Sequence, residues 1–183
     1  MSFRSLGETC LHQGHVISLY RGRFVAPDGS PFEREIVRHP GAVVVVPLVD
    51  DSTALLVRQY RAAIDSELLE LPAGKRDVPD EDPADTAARE LAEEVGKRPG
   101  RLVKLAEFLN SPGFSDELSH CYLATELEDC DTDAQGVEEG HMVTVTVDLA
   151  EVPGMIERFE LRDAKTIIGL CMARAYLGEG GRL

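Results

Sequence analysis

The apolar run at residues 42–46, AVVVV, restricts the fold of this chain more than any other feature of the sequence. A strand that alternates between polar and apolar residues exposes one face to water, whereas a continuous apolar strand buries both faces. The run shows no alternation over its five residues. It therefore predicts a strand at the centre of a sheet, with other elements covering both of its faces.

Short segments on both sides of this run have the alternation or the β-branched content of further strands. Residues 15–25 and 33–37 predict an antiparallel hairpin, because the connecting residues 26–32 supply the Pro, Asp and Gly of a turn. Other strand candidates are residues 52–61, 101–109, 118–127 and 141–149, and helical spacing recurs in residues 83–95 and 164–177. This order predicts an α+β fold with a mixed sheet: a small amino-terminal antiparallel β-sheet over residues 1–40, and one principal domain over residues 41–183.

Length, charge and hydropathy limit the functions that are open to the chain. Its 183 residues suit one principal folding unit, and no stretch approaches the roughly 20 apolar residues that cross a bilayer. The formal net charge of -14 opposes nonspecific binding to nucleic acid, which depends on cationic side chains. A small anionic substrate is compatible with this charge where divalent cations and local arginines screen it. The first residues lack the apolar core of a secretory signal, so a cytoplasmic location is expected.

One predicted helix carries most of the chemistry. Asp82 and Pro83 are typical of a helix start and Gly96 of a helix end, so the helix should span Pro83 to Val95. At about 100° per residue, the apolar side chains gather on one side of this helix. They are Ala84, Ala87, Ala88, Leu91 and Val95.

The opposite side of the same helix is acidic and carries Glu90, Glu93 and Glu94. We expect this face to point outward. Carboxylates three or four residues apart repel by about a few tenths of a kcal/mol per pair, so something should compensate them. Arg89 can pair with Glu93, but Glu90 and Glu94 still face each other, which suits shared coordination of hard divalent cations. A solvated acidic face is the alternative, and it is the commoner explanation of such a charge run.

Residues 74–97, GKRDVPDEDPADTAARELAEEVGK, resemble the Nudix box. They depart from the family pattern twice, since six residues rather than five separate Gly74 from Glu81, and Lys97 replaces an aliphatic residue. Neither departure removes a candidate metal ligand. The resemblance implies a Nudix α/β/α sandwich around a mixed sheet, and it implies hydrolysis of a phosphoanhydride. The matching residues are Gly74, Glu81, Arg89, Glu90, Leu91, Glu93, Glu94 and Gly96.

The same resemblance implies the residues of a metal site. Glu90 and Glu94 match the main ligands, and the backbone carbonyl of Ala73 matches a third. Glu93 matches an accessory carboxylate that belongs to the catalytic group. Glu81 matches either a structural residue or a residue that contacts the metal ligands without contacting the metal itself. Mg²⁺ suits this all-oxygen set, with Mn²⁺ as a substitute, because it neutralises and aligns a diphosphate and helps to deprotonate an attacking water.

The flanks of the box resemble those of ADP-ribose pyrophosphatases. Upstream, QYR at residues 59–61 precedes ELPAG at residues 70–74, and downstream Pro112 stands fifteen positions after Lys97. This resemblance implies hydrolysis of ADP-ribose to AMP and ribose 5-phosphate. Other nucleoside diphosphate sugars, such as ADP-glucose and GDP-mannose, are alternative substrates. A Nudix domain that binds a nucleotide as a sensor, without turnover, is a further alternative, although its usual sign is loss of a box glutamate.

Several residues are candidates for substrate binding. The guanidinium groups of Arg61 and Arg58 can make paired charge-assisted hydrogen bonds to phosphate, and Arg61 is the preferred candidate; an arginine that stabilises a strand edge is the alternative. Pro112 and Gly113 predict a shaped turn beside the terminal ribose, and Phe114 an apolar contact. The chain has no Trp, so adenine stacking falls to other aromatic residues, such as Tyr20, Phe24 or Tyr60.

A catalytic base and a second subunit follow from the same resemblance. The subfamily often takes its base from a glutamate on a mobile loop after the box, and GVEEGHM offers Glu138 and Glu139, of which Glu139 is slightly preferred. Gly136 and Gly140 would let this loop close over the substrate. A solvated acidic turn is the alternative. The resemblance further implies a homodimer whose amino-terminal sheets, residues 1–40, exchange and complete the partner's substrate pocket.

Overall fold

The computed structural model describes residues 2–133 and 137–180. The chain forms two compact units. The first unit comprises residues 1–41 and 108–118, and the second comprises residues 42–107 and 119–183. The amino-terminal segment is therefore accompanied in its unit by a short segment from the middle of the chain.

The first unit contains a three-stranded antiparallel sheet of β1 (Arg4–Gln13), β2 (Ser18–Val25) and β3 (Pro31–Arg38), in that order. The predicted hairpin is confirmed as β2 and β3, and Phe24 stacks on its cross-strand neighbour Phe32 with ring centroids 5.3 Å apart. The sequence does not predict β1, because its residues do not alternate between polar and apolar side chains. In the structure all ten residues of β1 are exposed, so no face of the strand is buried. Its pairing with β2 also shifts register twice.

The central strand of the second unit is β4 (Ala42–Pro47), as the apolar run predicts, and its four valines are each 0% exposed. It belongs to a four-stranded mixed sheet. Within that sheet β4 is parallel to β9 (Leu118–Asp129) and antiparallel to β7 (Ala73–Lys75). The fourth strand, β8 (Lys97–Leu109), lies on the other side of β9. The mixed sheet predicted from the sequence is confirmed.

A three-stranded antiparallel sheet completes the strands of the second unit, with β5 (Thr53–Arg61) between β10 (Val143–Asp148) and β6 (Ser66–Glu70). The sequence predicts β5 and β10 but not β6 or β7. Those two strands are short, and Pro72 lies between them within the segment LLELPAGK. The short helix α2 (Val152–Glu157) is also missed, since it has too few residues to show a helical period.

Helix α1 (Pro83–Val95) has the predicted bounds. The side chain of Asp82 caps its first turn by accepting a hydrogen bond of 2.8 Å from the N–H of Ala84. Gly96 ends the helix with a φ of 63°, a left-handed conformation that favours glycine, and its N–H donates to the carbonyl of Ala92. Both ends of the helix are therefore fixed by the residues that predict them.

The apolar face of α1 packs on the mixed sheet. Ala87, Leu91 and Val95 are buried as the helical spacing predicts, and Ala84 packs at the edge of the same core. Ala88 differs from the prediction, because it lines an open cleft of about 500 Å³ beside the helix. The core against which α1 packs includes Val43, Val45, Leu55, Val57, Tyr122 and Ala124.

The closing helix is confirmed as α3 (Ala164–Gly178), and it packs against β4. Gly169 makes this packing close: a Cβ at this position would lie 2.7 Å from Cδ1 of Leu71 and 3.3 Å from Cγ2 of Val46. None of the helices within residues 2–133 and 137–180 is both long enough and apolar enough to cross a membrane.

We expect Gly169→Ala to destabilise the protein by about 1 kcal/mol or more, because the added methyl group must displace the fully buried Leu71. Gly178→Ala, in the same helix, is the matched control. No atom lies within 4 Å of a Cβ at Gly178, and the helix gains the better propensity of alanine. Urea denaturation measures both variants, and an equal gain in stability from the two substitutions would contradict close packing at Gly169.

Candidate functional site

Glu90 and Glu94 lie against strand β7, so the expectation that the acidic face points outward is wrong for these two residues. Glu93 lines the open cleft beside α1. The side chain of Glu90 is only 13% exposed, and that of Glu93 is 21% exposed. Glu90 lies directly over Gly74, because a Cβ at Gly74 would overlap the Glu90 carboxylate group. The reason is that α1 contacts β7 as well as β4, so the sheet also covers part of the acidic side of the helix.

Glu94 is held by the neighbouring residue of the same strand. The N–H of Ala73 donates a hydrogen bond of 3.0 Å to Oε2 of Glu94. Glu90 and Glu94 are one helical turn apart, so they meet two consecutive residues of β7, Ala73 and Gly74. The structure thus brings together the three residues that the resemblance implies as main ligands: two carboxylates and the residue whose carbonyl is the third.

Arg89 offsets the negative charge on the same helix. Its Nη1 lies 3.0 Å from Oε2 of Glu93 and 3.0 Å from Oε1 of Glu90, and its Nε lies 3.3 Å from Oε1 of Glu81. The predicted pair of Arg89 with Glu93 is confirmed. One guanidinium group therefore restrains three carboxylates that would otherwise repel one another.

Glu81 has the contacts of a structural residue. It accepts a hydrogen bond of 2.8 Å from Oγ1 of Thr86, in addition to its bonds from Arg89. The hydrogen bonds from Arg89 are the main reason that the pKa of Glu81 is below its usual value. This arrangement ties the loop before α1 to the first turns of the helix.

The two departures from the box pattern lie away from Glu90 and Glu94. The longer loop between Gly74 and Glu81 is braced by Arg76, whose Nη2 donates to the Glu81 carbonyl at 3.2 Å. Lys97 is the first residue of β8 and forms an ion pair with Asp129. Both departures are accommodated without displacing a carboxylate of α1.

The donors at this site fit a hard divalent cation. No three His, Cys, Asp or Glu side chains in the described part of the chain converge closely enough to hold a metal ion by themselves. Mg²⁺ does not require such a cage, since it usually binds one or two carboxylates and completes its ligands with water and substrate phosphates. The pKa of Glu90 is raised to about 7, first by burial and then by the charge of Glu93, with Arg89 opposing both. A cation beside Glu90 would favour its charged form.

Arg61, at the end of β5, is held by a buried carboxylate. Its Nε and Nη2 donate to Oε1 and Oε2 of Glu70 at 2.7 Å and 2.8 Å, and Glu70 is 0% exposed. Two nitrogen atoms of Arg61 that are expected to donate hydrogen bonds to phosphate therefore donate to Glu70 instead. The pKa of Arg61 is raised mainly by these hydrogen bonds, and more weakly by the charges of Asp163 and Glu94. Arg61 thus lies within electrostatic reach of Glu94.

The loop with the candidate bases leads into β10. Glu138 is exposed, and a 3₁₀ turn covers Glu139–His141, in which Gly140 is exposed. Gly136, the other glycine expected to act as a hinge, lies outside the described residues. The identity of the base and the closing motion stay predictions.

This loop lies beside the QYR segment of β5. The pKa of Tyr60 is raised mainly by its hydrogen bond to Asp65, and more weakly by burial and by the charge of Glu138. The first residue of β10, Val143, pairs with Arg58, which is exposed. The carboxylate of Glu138 and the guanidinium of Arg58 therefore belong to the same end of this sheet.

Pro112, Gly113 and Phe114 form a turn in the first unit. The N–H of Phe114 donates to the carbonyl of Ser111 at 3.1 Å, and its own carbonyl accepts a hydrogen bond of 2.7 Å from the N–H of Val37. The shaped turn expected at Pro112 is therefore present. Phe114 is 58% exposed, and its contact with a ribose stays a prediction.

The three aromatic candidates for adenine stacking differ in how much of the ring is available. Phe24 already stacks on Phe32, and Tyr20 is partly buried. Tyr60 is 42% exposed. Tyr60 is therefore the candidate with the most accessible ring of the three, and its role stays a prediction.

The sequence does not predict the buried charges around Glu70. Nζ of Lys165 donates to Oε2 of Glu70 at 2.5 Å and to Oδ1 of Asp163 at 2.9 Å. Two signals in the sequence point to this contact. Glu70 interrupts the apolar segment LLELP, and Lys165 stands in the first turn of a helix, where the helix dipole disfavours a cation.

We expect Gly74→Ala to weaken divalent-cation binding by roughly 10- to 100-fold, because the added methyl group must displace the Glu90 carboxylate. Isothermal titration calorimetry with Mg²⁺ measures the affinity, and thermal denaturation shows that the variant is folded. Gly178→Ala, which meets no atom within 4 Å, is the control and should bind as the wild type does. Equal affinities for the three proteins would show that Glu90 does not contact the cation.

Comparison with known proteins identifies the family of this chain. A model of the NUDIX domain matches residues 38–169. The ADP-ribose pyrophosphatase of Bacillus subtilis (strain 168) is 36% identical over 163 residues, which cover 89% of this chain and 88% of that protein. The methanol dehydrogenase activator of Bacillus methanolicus is 37% identical over 161 residues, which cover 87% of this chain and 86% of that protein.

A solved structure of an ADP compounds hydrolase superposes with a TM-score of 0.87, covering 100% of this chain and 98% of that one at 23% identity. At this identity the likeness concerns the fold alone. It confirms the α+β sandwich with a small antiparallel amino-terminal sheet. The family model spans the central strand β4, the box helix α1 and the first turns of α3. The chain therefore belongs to the Nudix family of hydrolases.

Proposed function

We propose that this chain hydrolyses the diphosphate of ADP-ribose to AMP and ribose 5-phosphate with the help of a divalent metal ion. One observation carries the proposal: Glu90 and Glu94 are both held against Ala73 and Gly74 of β7, which makes a compact group of oxygen donors on one side of α1. The choice of ADP-ribose is supported by the relative from Bacillus subtilis, an ADP-ribose pyrophosphatase that matches almost the whole chain.

Mg²⁺ is the proposed ion, with Mn²⁺ as a substitute. When bound, it would neutralise and orient the diphosphate and lower the pKa of the attacking water. Glu90, Glu94 and the carbonyl of Ala73 would hold it, with Glu93 as an accessory carboxylate. Arg89 restrains Glu93 at 3.0 Å, so the accessory group has a fixed position beside the main ligands.

Arg61 and Arg58 are the proposed phosphate-binding residues. Glu70 occupies the Nε and Nη2 edge of Arg61, which leaves the Nη1 group to meet an anion, and the Arg61 side chain as a whole is 40% exposed. Arg58 is exposed on the neighbouring part of β5. A contact of Pro112, Gly113 and Phe114 with the terminal ribose stays a prediction of the sequence.

The proposed base is Glu139, with Glu138 as the alternative. A carboxylate on a loop between glycines can approach the attacking water once substrate is bound. The influence of Glu138 on Tyr60 supports a place for this loop beside the arginine-bearing end of β5. A homodimer that completes the pocket with residues 1–40, and a cytoplasmic location, stay predictions of the sequence.

Two alternatives remain distinct from this proposal. Another nucleoside diphosphate sugar, such as ADP-glucose or GDP-mannose, would use the same metal site with a different base or sugar pocket. A sensor would bind a nucleotide without turnover, but the box glutamates are all present in this chain. A substrate panel separates these functions.

We expect the wild-type protein to release AMP from ADP-ribose with Mg²⁺ and not with a chelator, and Glu94→Gln to lower kcat by about 100-fold or more. Product release from ADP-ribose, ADP-glucose and GDP-mannose, measured by chromatography, tests both expectations. Glu128→Gln, an exposed acidic residue on β9, is the control. A preference for another sugar nucleotide would reject the substrate, and binding without turnover would favour the sensor.

We expect Glu139→Gln to lower kcat by roughly 10²- to 10⁴-fold, the usual contribution of a general base, and Glu138→Gln to lower it much less. The KM for ADP-ribose should change little in either variant, because a base acts on the water rather than on substrate binding. Steady-state kinetics measure both constants. The opposite ranking would assign the base to Glu138, and two active variants would leave neither glutamate as the base.

A further inference from the structure

Glu70 is a fully buried carboxylate between two cations from distant parts of the chain. Arg61 binds both of its oxygens, and Lys165 binds Oε2 at 2.5 Å. Burial by itself would raise the pKa of Glu70, but its bonds to Arg61 and the charge of Lys165 hold that pKa below the usual value. Glu70 is therefore charged, and it fixes one edge of the Arg61 guanidinium.

Lys165 lies at an unfavourable position of α3 for a cation. It stands in the first turn of α3, where the positive end of the helix dipole disfavours a cation. Its side chain is 17% exposed and reaches Glu70 rather than solvent. The contact with Asp163, which caps α3, fixes the Lys165 ammonium at 2.9 Å. A lysine held in this way is directed at Glu70 by the fold.

The same end of α3 also holds the chain between Glu70 and the metal site. Oγ1 of Thr166 accepts a hydrogen bond of 2.9 Å from the N–H of Leu71, and Asp163 accepts one of 2.6 Å from that hydroxyl. Ala73 lies two residues after Leu71, and its N–H donates a hydrogen bond to Glu94. The start of α3 is thus connected by hydrogen bonds to the segment that positions a candidate metal ligand.

We infer that Lys165 and Glu70 are positioning residues that hold the guanidinium of Arg61 towards the substrate diphosphate. With Nε and Nη2 bound to Glu70, one edge of the Arg61 guanidinium is fixed, and its Nη1 group is left for the substrate. Lys165 keeps Glu70 in place and charged, so that Arg61 is not the only group that balances this buried carboxylate. The inference rests on the proposed function, because it needs Arg61 to bind phosphate.

The first test compares Lys165→Met with Lys165→Arg in ADP-ribose hydrolysis. Lys165→Met keeps the length of the side chain but removes the charge, and we expect it to raise KM about tenfold while kcat changes less than about threefold. Lys165→Arg should keep KM within about threefold of the wild type, since arginine can donate to both Glu70 and Asp163. An unchanged KM in Lys165→Met would overturn the inference.

A double-mutant cycle with Arg61→Ala tests whether Lys165 acts through Arg61. If it does, Lys165→Met should change KM by less than about twofold in the Arg61→Ala background, because the group it positions is already gone. A change in KM as large as that in the wild-type background would mean that Lys165 acts by another route, and the inference would fail.

A structural role must be separated from a positioning role, because Lys165→Met leaves a buried carboxylate with one fewer cation. Glu70→Gln/Lys165→Met removes both charges, which should recover much of the thermal stability that Lys165→Met loses. The positioning role predicts that KM stays raised in this double variant. Recovery of both Tm and KM would show that the network only stabilises the fold.

Glu160→Gln supplies a control, since it breaks the exposed pair of Arg158 with Glu160 and should change neither KM nor Tm. Failure of the proposed function is recognised separately, by the absence of metal-dependent AMP release from the wild-type protein. If another nucleoside diphosphate sugar is hydrolysed instead, the same variants are measured with that substrate, and the expected ratios of KM are unchanged.

Discussion

The close approach of Gly74 to Glu90 is the contact on which the rest of the site depends. A side chain at Gly74 would occupy the position of the Glu90 carboxylate, so only glycine lets α1 and β7 approach this closely. Strand β7 has only three residues and is too short to be stable alone, but it pairs with the fully buried β4 through Val43 and Gly74. The position of the acidic helix is therefore fixed by the core of the mixed sheet.

This approach has an electrostatic cost that the sequence alone does not show. Three carboxylates on neighbouring positions of α1 repel one another, and burial removes water that would screen them. Arg89 and the N–H of Ala73 offset part of that repulsion. The pKa of Glu90 nevertheless stands at about 7, so this carboxylate is not fully compensated by protein groups. A buried charge that the protein compensates only in part is typical of functional sites, where a bound ligand supplies the remaining compensation.

The sequence predicts those parts of the fold and site that depend on local patterns. The valines of β4 and the caps Asp82 and Gly96 specify a buried strand and a helix because each acts through its own backbone or its own burial. Short strands such as β6 and β7 lack enough residues to show a period, and the exposed β1 has no apolar face. The pattern of α1 separates apolar from acidic residues, but it cannot show that β7 covers Glu90.

Contacts between residues distant in the sequence are missed for the same reason. Glu70 and Lys165 are 95 positions apart, and only the packing of α3 on the sheet brings them together. Apolar side chains of similar volume could fill such a space with equal or greater stability, since a buried ion pair loses its hydration on folding. They could not, however, fix the fork of Arg61. The charged arrangement around Glu70 is therefore better explained by the orientation of Arg61 than by stability, because orientation requires directional hydrogen bonds and stability does not.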